Sequence, residues 1–210
     1  GLASQRSSFV LWDPATGVPR TPLISWQDRR AAEWCRGRLG PGEDVFRLGG
    51  LRMSAHHVGP KLAALQRSDP DLAADLGRGS LLFGNLDAFL VWHWSRRVHR
   101  TELGMAARTA LVEIERGDWS ATLRGHFGVP SEGLPRIVPS VGEPLRLRGR
   151  LELRATVADQ AAAALAALPA RDDAAVVALG TGAFVMREAR SLGERVEGYQ
   201  TSPLLGVPDD

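Results

Sequence analysis

Apolar positions along this chain fall into short runs separated by glycine, proline and polar turns, and their spacing switches between a period of two and one of three to four. SSFVLWDPATGVPRTPLISW predicts a hairpin: an apolar strand ending at Trp12, a turn on Asp13, Pro14, Thr16 and Gly17, and a return strand through Leu23 and Ile24. Gly17 supplies the positive φ that closes such a loop. WQDRRAAEWCRGRLG then takes up a helical period. Trp26, Ala31, Trp34 and Leu39 are usable on one side, and Gly40, Pro41 and Gly42 are its stop. HHVGPKLAALQRSDP predicts a helix entered at Gly59 and Pro60, because a proline's missing N–H costs nothing in a first turn; Leu62, Leu65 and Ala63 form its apolar side.

GSLLFGNLDAFLVWHWS predicts a short apolar strand, a glycine turn at Gly84 and Asn85, and a helix whose Leu86, Phe89, Leu90 and Trp94 recur at three and four. GDWSATLRGHFGVPSEGLPRIVPSVGEP reads as a short helix followed by a proline-rich surface connection. In RLRGRLELR and its flank, Leu145, Leu147, Leu151 and Leu153 keep odd-numbered spacing around Gly149, as in a half-exposed strand or hairpin. VADQAAAALAAL predicts an alanine-rich helix. AAVVALGTGAFVM predicts two β segments, 174–179 and 183–186, joined by Gly180, Thr181 and Gly182. Strands alternating with helices argue for an α/β sheet architecture.

A chain of 210 residues, 44% of them apolar, can bury a sizeable core as one large domain, or as one and part of another. It has no run of about 18 uncharged apolar residues, and GLASQRSS lacks a basic region followed by an apolar one. The expectation is a soluble cytoplasmic protein with no membrane partner. Cys35 is the only cysteine, which excludes an internal disulfide or a thiolate zinc cluster and fits a reducing compartment. The five histidines show no metal-ligand spacing, so no metal site is expected from them. The net charge is only +2, and of the 26 lysine and arginine side chains Lys61 alone is a lysine. The arginines of 146–154 could meet nucleic-acid phosphates, but the alternating leucines favour a solvated arginine face, so no nucleic-acid partner is expected. The chain opens at Gly1 without a methionine and reaches an apolar strand within ten residues, as a fragment would.

Three places could carry chemistry, and each has a plainer reading. Asp159 and Gln160 head an otherwise apolar segment: Asp159 is either a helix cap in the first turn or an acid held at the edge of a cleft. Gly180-Thr181-Gly182 is either an ordinary hairpin turn or a turn presenting N–H groups to a phosphate. SQR at 4–6 and WQDRR at 26–30 bring an arginine fork and an indole face close in sequence, as a site for a small hydroxylated molecule does. Equally, Trp26 is core and Asp28, Arg29 and Arg30 a solvated helix start.

Taken together, these pieces resemble the FGGY carbohydrate kinases, and within them the glycerol-kinase-like branch. The matching stretches are SQRSSFVLWDPATGVPRTPLISWQDRRAAEWC, GPKLAAL, LLFGNLDAFLVWHW, AARTALVEI, GDWS with LPRIVPSVG, ADQAAAAL and GTGAF, in the family's order. The resemblance implies an α/β, actin-like ATPase fold built on ribonuclease-H-like halves. Here that means an incomplete first domain (1–157, the sugar side) and the start of a second (158–210, the nucleotide side). It implies transfer of the ATP γ-phosphoryl group to a hydroxyl of a small sugar or polyol, with Asp159 as the base. Arg6, Trp26, His56, Gln160 and Phe184 match substrate-contacting positions, and Gly180, Thr181 and Gly182 match the turn that faces the ATP phosphates. ATP and Mg²⁺ are the implied cofactors, and a homo-oligomer is compatible with the family.

This chain departs from the branch in three ways. The glutamate expected after Arg6 is Ser7, the aromatic position before the Gly-Thr-Lys motif falls at His56, and the motif itself is Gly-Pro-Lys. These changes alter the hydrogen bonds offered to hydroxyls, so a substrate other than glycerol is expected, another small polyol or ketose. The family's opening Asp-Gly-Thr-Thr-type phosphate strand and its adenine-enclosing segments have no counterpart here, so the chain is expected to be inactive alone. The alternative is an inactive remnant or a sugar-binding module.

Overall fold

The structure, a computed structural model, describes residues 1–37, 39–167, 174–179 and 183–206; the side chains of Leu39 and Glu143 also lie outside the described residues. Strands β1 (Leu2–Ser4) and β2 (Phe9–Trp12) are followed by helices α1 (Ala32–Cys35), α2 (Leu39–Arg47), α3 (Val58–Ser68) and α4 (Pro70–Gly77). β3 (Leu82–Asn85) runs directly into α5 (Leu86–Trp94), and β4 (Arg100–Glu102) into α6 (Leu103–Ala107). Next come β5 (Val112–Glu113), β6 (Asp118–Trp119), α7 (Ala121–Phe127), β7 (Arg136–Val138), β8 (Val141–Arg146) and β9 (Glu152–Ala158). Helix α8 (Asp159–Ala167) and a hairpin of β10 (Ala175–Leu179) and β11 (Ala183–Arg187) follow.

One three-stranded sheet positions the site. Its order is β1-β9-β8, with β1 parallel to β9 in the register Leu2↔Thr156, Ala3↔Val157 and Ser4↔Ala158, and β8 antiparallel to β9. The predicted hairpin around Gly149 is therefore present, with φ of +79° at that glycine. The core explains why FVLW has no polar positions. Phe9 and Leu11 pack into the main cluster with Leu62, Phe83 and Phe127, while Val10 and Trp12 face a second cluster around Trp92, so β2 is buried on both sides.

Three expectations need correction. The return strand through Leu23 and Ile24 is reduced to isolated bridges, Phe9↔Ile24 and Trp12↔Pro19, because Pro19 and Pro22 have no N–H to offer a ladder. β2 pairs instead with β3, Phe9↔Asn85 through Trp12↔Leu82. The helix expected to stop at Gly40-Pro41-Gly42 breaks earlier, at Arg36 (ψ 131°) and Gly37 (φ +69°), and α2 runs through those three residues. Pro41 sits in the first turn of α2, where its N–H would lack an acceptor anyway. Gly84 and Asn85 form no turn but end β3. A Cβ at Gly84 would lie 2.7 Å from the Trp12 ring and 2.9 Å from the Ala88 Cβ, so the glycine serves close packing.

Candidate active site

The parallel register of β1 and β9 decides what meets what. Residues that follow the two strands leave the sheet at the same carboxyl edge, where ligands bind in open α/β sheets. Arg6 and Gln160 accordingly meet there, the Arg6 Nη2 donating to the Gln160 Oε1 across 154 residues of sequence. Asp159 is the first residue of α8; its Oδ1 accepts the Gln160 N–H at 2.7 Å and its side chain is exposed. The alanines behind it explain the segment's composition. Ala161 and Ala164 are buried, and Ala161 packs with Ala158 and Met105, so small side chains let α8 sit close on the sheet.

The loop after β1 is held in an unusual shape. Ser7 has φ +62°, a left-handed value that costs a non-glycine residue energy unless its surroundings fix it. The buried Lys61 Nζ donates to the Ser7 carbonyl at 3.2 Å and to the Ser25 carbonyl at 2.8 Å, and the Ser7 Oγ donates to the Arg108 carbonyl at 3.3 Å. Burial pushes the Lys61 ammonium down to about 8, with Asp28 opposing the fall and Arg30 adding to it. The Trp26 backbone N–H donates to the Ser8 Oγ at 2.9 Å, which anchors its segment beside this loop. His56 completes an aromatic wall, its ring centroid 6.1 Å from that of Trp26 and its Nδ1 3.1 Å from the Trp26 carbonyl. A carbonyl only accepts, so this Nδ1 is the donor.

A cavity of about 680 Å³ gathers these groups. Arg6, Trp26, His56, Asp159, Gln160 and Phe184 all line it, so the structure brings together the six expected site residues that it describes. Trp26 and Phe184 are 39% and 45% exposed. Gly180, Thr181 and Gly182 lie outside the described residues. Asp28 and Arg30 do not line the cavity; Arg30 closes on the Asp28 carboxylate at 2.8 Å and holds it below the usual carboxylate range, as a solvated helix start would.

His57 and Arg108 are among the lining side chains that sequence reasoning missed. His57 is buried, and burial together with Arg108 pushes its imidazole down to about 3, so it is neutral. Its Nε2 is 3.0 Å from the Arg52 carbonyl, and its Nδ1 is buried with no hydrogen-bond partner among the described residues. Arg108 also lines the cavity, its guanidinium depressed to about 9 by burial first and by Arg6 second. Arg6 is lowered too by burial, with Asp159 and Glu102 opposing the fall. No spacing rule could pair Arg108 with Arg6 at a separation of about a hundred residues; the one signal was its place within AARTALVEI.

A family model described as the N-terminal domain of the FGGY family of carbohydrate kinases matches residues 1–145. The chain belongs to this family. A glycerol kinase of Nitratidesulfovibrio vulgaris (strain Miyazaki F) is 35% identical over 194 residues, covering 89% of this chain and 39% of that protein. An apulose kinase of Pectobacterium atrosepticum is 39% identical over 142 residues, 66% of this chain and 29% of that protein. Among solved structures, Plasmodium falciparum glycerol kinase with ADP superposes with a TM-score of 0.82 at 21% identity, over 88% of this chain and 38% of that one. A xylulose kinase from Lactobacillus acidophilus gives a TM-score of 0.75 at 16% identity, over 87% and 39%. The FGGY chain thus has the α/β, actin-like ATPase fold of these kinases and spans about 39% of the length of the first relative. Among its described residues no helix is long and apolar enough to cross a membrane.

Proposed function

We propose that this FGGY chain forms the substrate side of an ATP-dependent kinase that phosphorylates a hydroxyl of a small sugar or polyol. The observation that carries the reading is the Arg6–Gln160 hydrogen bond, which joins the ends of β1 and β9 and sets Asp159 at the mouth of the same cavity as Trp26 and Phe184. Residues 1–157 serve as the sugar-side domain, and 158–210 begin the nucleotide-side one. With Cys35 as the only cysteine, a reducing cytoplasm suits the enzyme.

In this mechanism ATP supplies the γ-phosphoryl group. Arg6 and Gln160 donate to substrate hydroxyls, and Trp26, His56 and Phe184 cover the C–H surface and exclude water. Asp159 takes the proton of the attacking hydroxyl as its oxygen bonds to phosphorus and the bond to ADP breaks. Phosphoryl transfer depends chiefly on such positioning, so a base of ordinary strength suffices. Gly180–Gly182 would face the ATP phosphates. Among the described residues no three His, Cys, Asp or Glu side chains cluster around a metal position, so no step is assigned to Mg²⁺ through this chain's own ligands. Ser7 and His56, where the glycerol-kinase branch has an acid and a phenol, support a substrate other than glycerol, as does the identity with apulose kinase.

The test is phosphoryl transfer from ATP to a panel of polyols and ketoses, run on this chain and on any longer product of its reading frame. Transfer by the longer product alone, lost in Asp159→Asn while substrate binding persists, is the expected result. Comparable turnover by Asp159→Asn would overturn the assignment.

A further inference from the structure

The cavity is unbalanced in charge. Arg6 and Arg108 both line it, while Asp159 is its one lining carboxylate among the described residues. His57 adds no charge, being buried and neutral, and His56 is tied to the Trp26 carbonyl. The other acid that Arg6 feels, Glu102, is already committed. Its Oε1 accepts from the Gly104 N–H at 2.8 Å and from the Ser140 Oγ at 2.6 Å, and its Oε2 from the Met105 N–H at 2.9 Å. Ser7, next to Arg6, brings no charge either, and its hydroxyl is occupied by the Arg108 carbonyl.

Arg108 is left short of acceptors. Its Nη1 donates to the Gln200 Oε1 at 2.6 Å, but its Nε is buried with no hydrogen-bond partner among the described residues. A guanidinium is always charged and its donors need acceptors once desolvated. Two such groups against one exposed carboxylate, itself engaged with a substrate hydroxyl on the reading above, make a site that lacks an anion. A carboxylate is the group that answers a guanidinium fork best, through short charge-assisted hydrogen bonds.

Resting on the reading of this cavity as the substrate site, we propose that the substrate is anionic: a small polyhydroxylated sugar acid whose carboxylate lies between Arg108 and Arg6 with a hydroxyl directed to Asp159. A neutral polyol of the same length can accept from Arg108 through a hydroxyl oxygen but leaves the second guanidinium without a counter-charge, so the pocket favours the acid.

Calorimetric titration of this chain with matched pairs tests it: glycerate against glycerol, erythronate against erythritol, gluconate against glucitol. At least one acid should bind about tenfold more tightly than its polyol, with the difference shrinking as ionic strength rises. Arg108→Gln should bring that pair to within about twofold, and Ser7→Glu, which returns a carboxylate beside both arginines, should do the same if Arg108→Gln fails to fold. Acids that bind no better than their polyols, or that bind not at all, overturn the proposal. So does inorganic phosphate binding through Arg108 without any preference among the pairs, which would assign the missing anion to the transferred phosphoryl group. Transfer from ATP to a neutral polyol without acid preference defeats this inference alone. Acid-selective binding with no transfer by any product of the reading frame defeats the kinase reading and leaves this one standing.

Discussion

The Lys61 ammonium lies 3.2 Å from the Ser7 carbonyl oxygen, and its second bond runs to Ser25, so one buried side chain ties together the turns that carry Arg6 and Trp26. Lys61→Met keeps the apolar stem and removes the donors, leaving two carbonyls unanswered. It should lower stability by about 2 kcal/mol in urea unfolding and weaken ligand binding in the cavity. The same clamp has a pH signature. Unfolded, this lysine titrates near 10.5 and folded near 8, so between those values the unfolded chain holds a proton that the folded one has released. Lys61 therefore makes stability rise with pH across that window, and the rise should be shallower in Lys61→Met, with Arg108 still contributing above about 9.

His57 gives a dependence at the acid end. An unfolded imidazole takes its proton near 6.5, whereas buried His57 refuses one until about 3. As pH falls through this range the unfolded state binds the extra proton, and stability is lost on acidification. Urea midpoints followed from neutral pH downward should show a shallower decline in His57→Gln than in the parent chain.

Gly84→Ala should destabilise the chain by about 1–3 kcal/mol, since the new methyl must displace either the Trp12 ring or Ala88 at the β3–α5 junction. Unchanged urea midpoints would show that the β2–β3 edge yields without strain.

Trp26→Ala should separate binding from folding. Its backbone N–H keeps the bond to Ser8, and its indole is more than a third exposed over the cavity, so stability should move by less than about 0.5 kcal/mol. Affinity for a sugar or polyol ligand should fall about tenfold by calorimetry through loss of the aromatic face.

Local chemistry was legible wherever one segment settles its own shape. The leucine alternation around Gly149 and the short helix in GDWSATLRGHFG are visible in their own residues; the structure adds that Ser120 caps that helix and left-handed Gly128 ends it. So was helix α4 in principle, since Asp69 caps it and Pro70 opens it, but the reading stopped at that proline. What failed were decisions made elsewhere in the fold. Gly84 belongs to a strand because Trp12 lies across it, and β2 prefers β3 to its own neighbour because two prolines disarm the return segment. In the site, Arg6, Trp26, His56, Asp159, Gln160 and Phe184 were expected through resemblance, and they line one cavity. Arg108 and His57 were not, because their significance lies in unanswered donors and acceptors that exist only after burial.

The pairing of β1 with β9 also sets a schedule for synthesis. Arg6 leaves the ribosome 154 residues ahead of its partner Gln160. At about 5–20 residues per second the interval is roughly 8–30 s, long compared with hairpin or helix formation. Throughout it β1 has no β9 to lie against, so its β9-facing edge stays unpaired while α3, α5 and α7 settle around β2 and β3. Slowing or pausing translation before residue 152 would lengthen this exposure, and chaperone occupancy on the growing chain should fall once β9 has emerged.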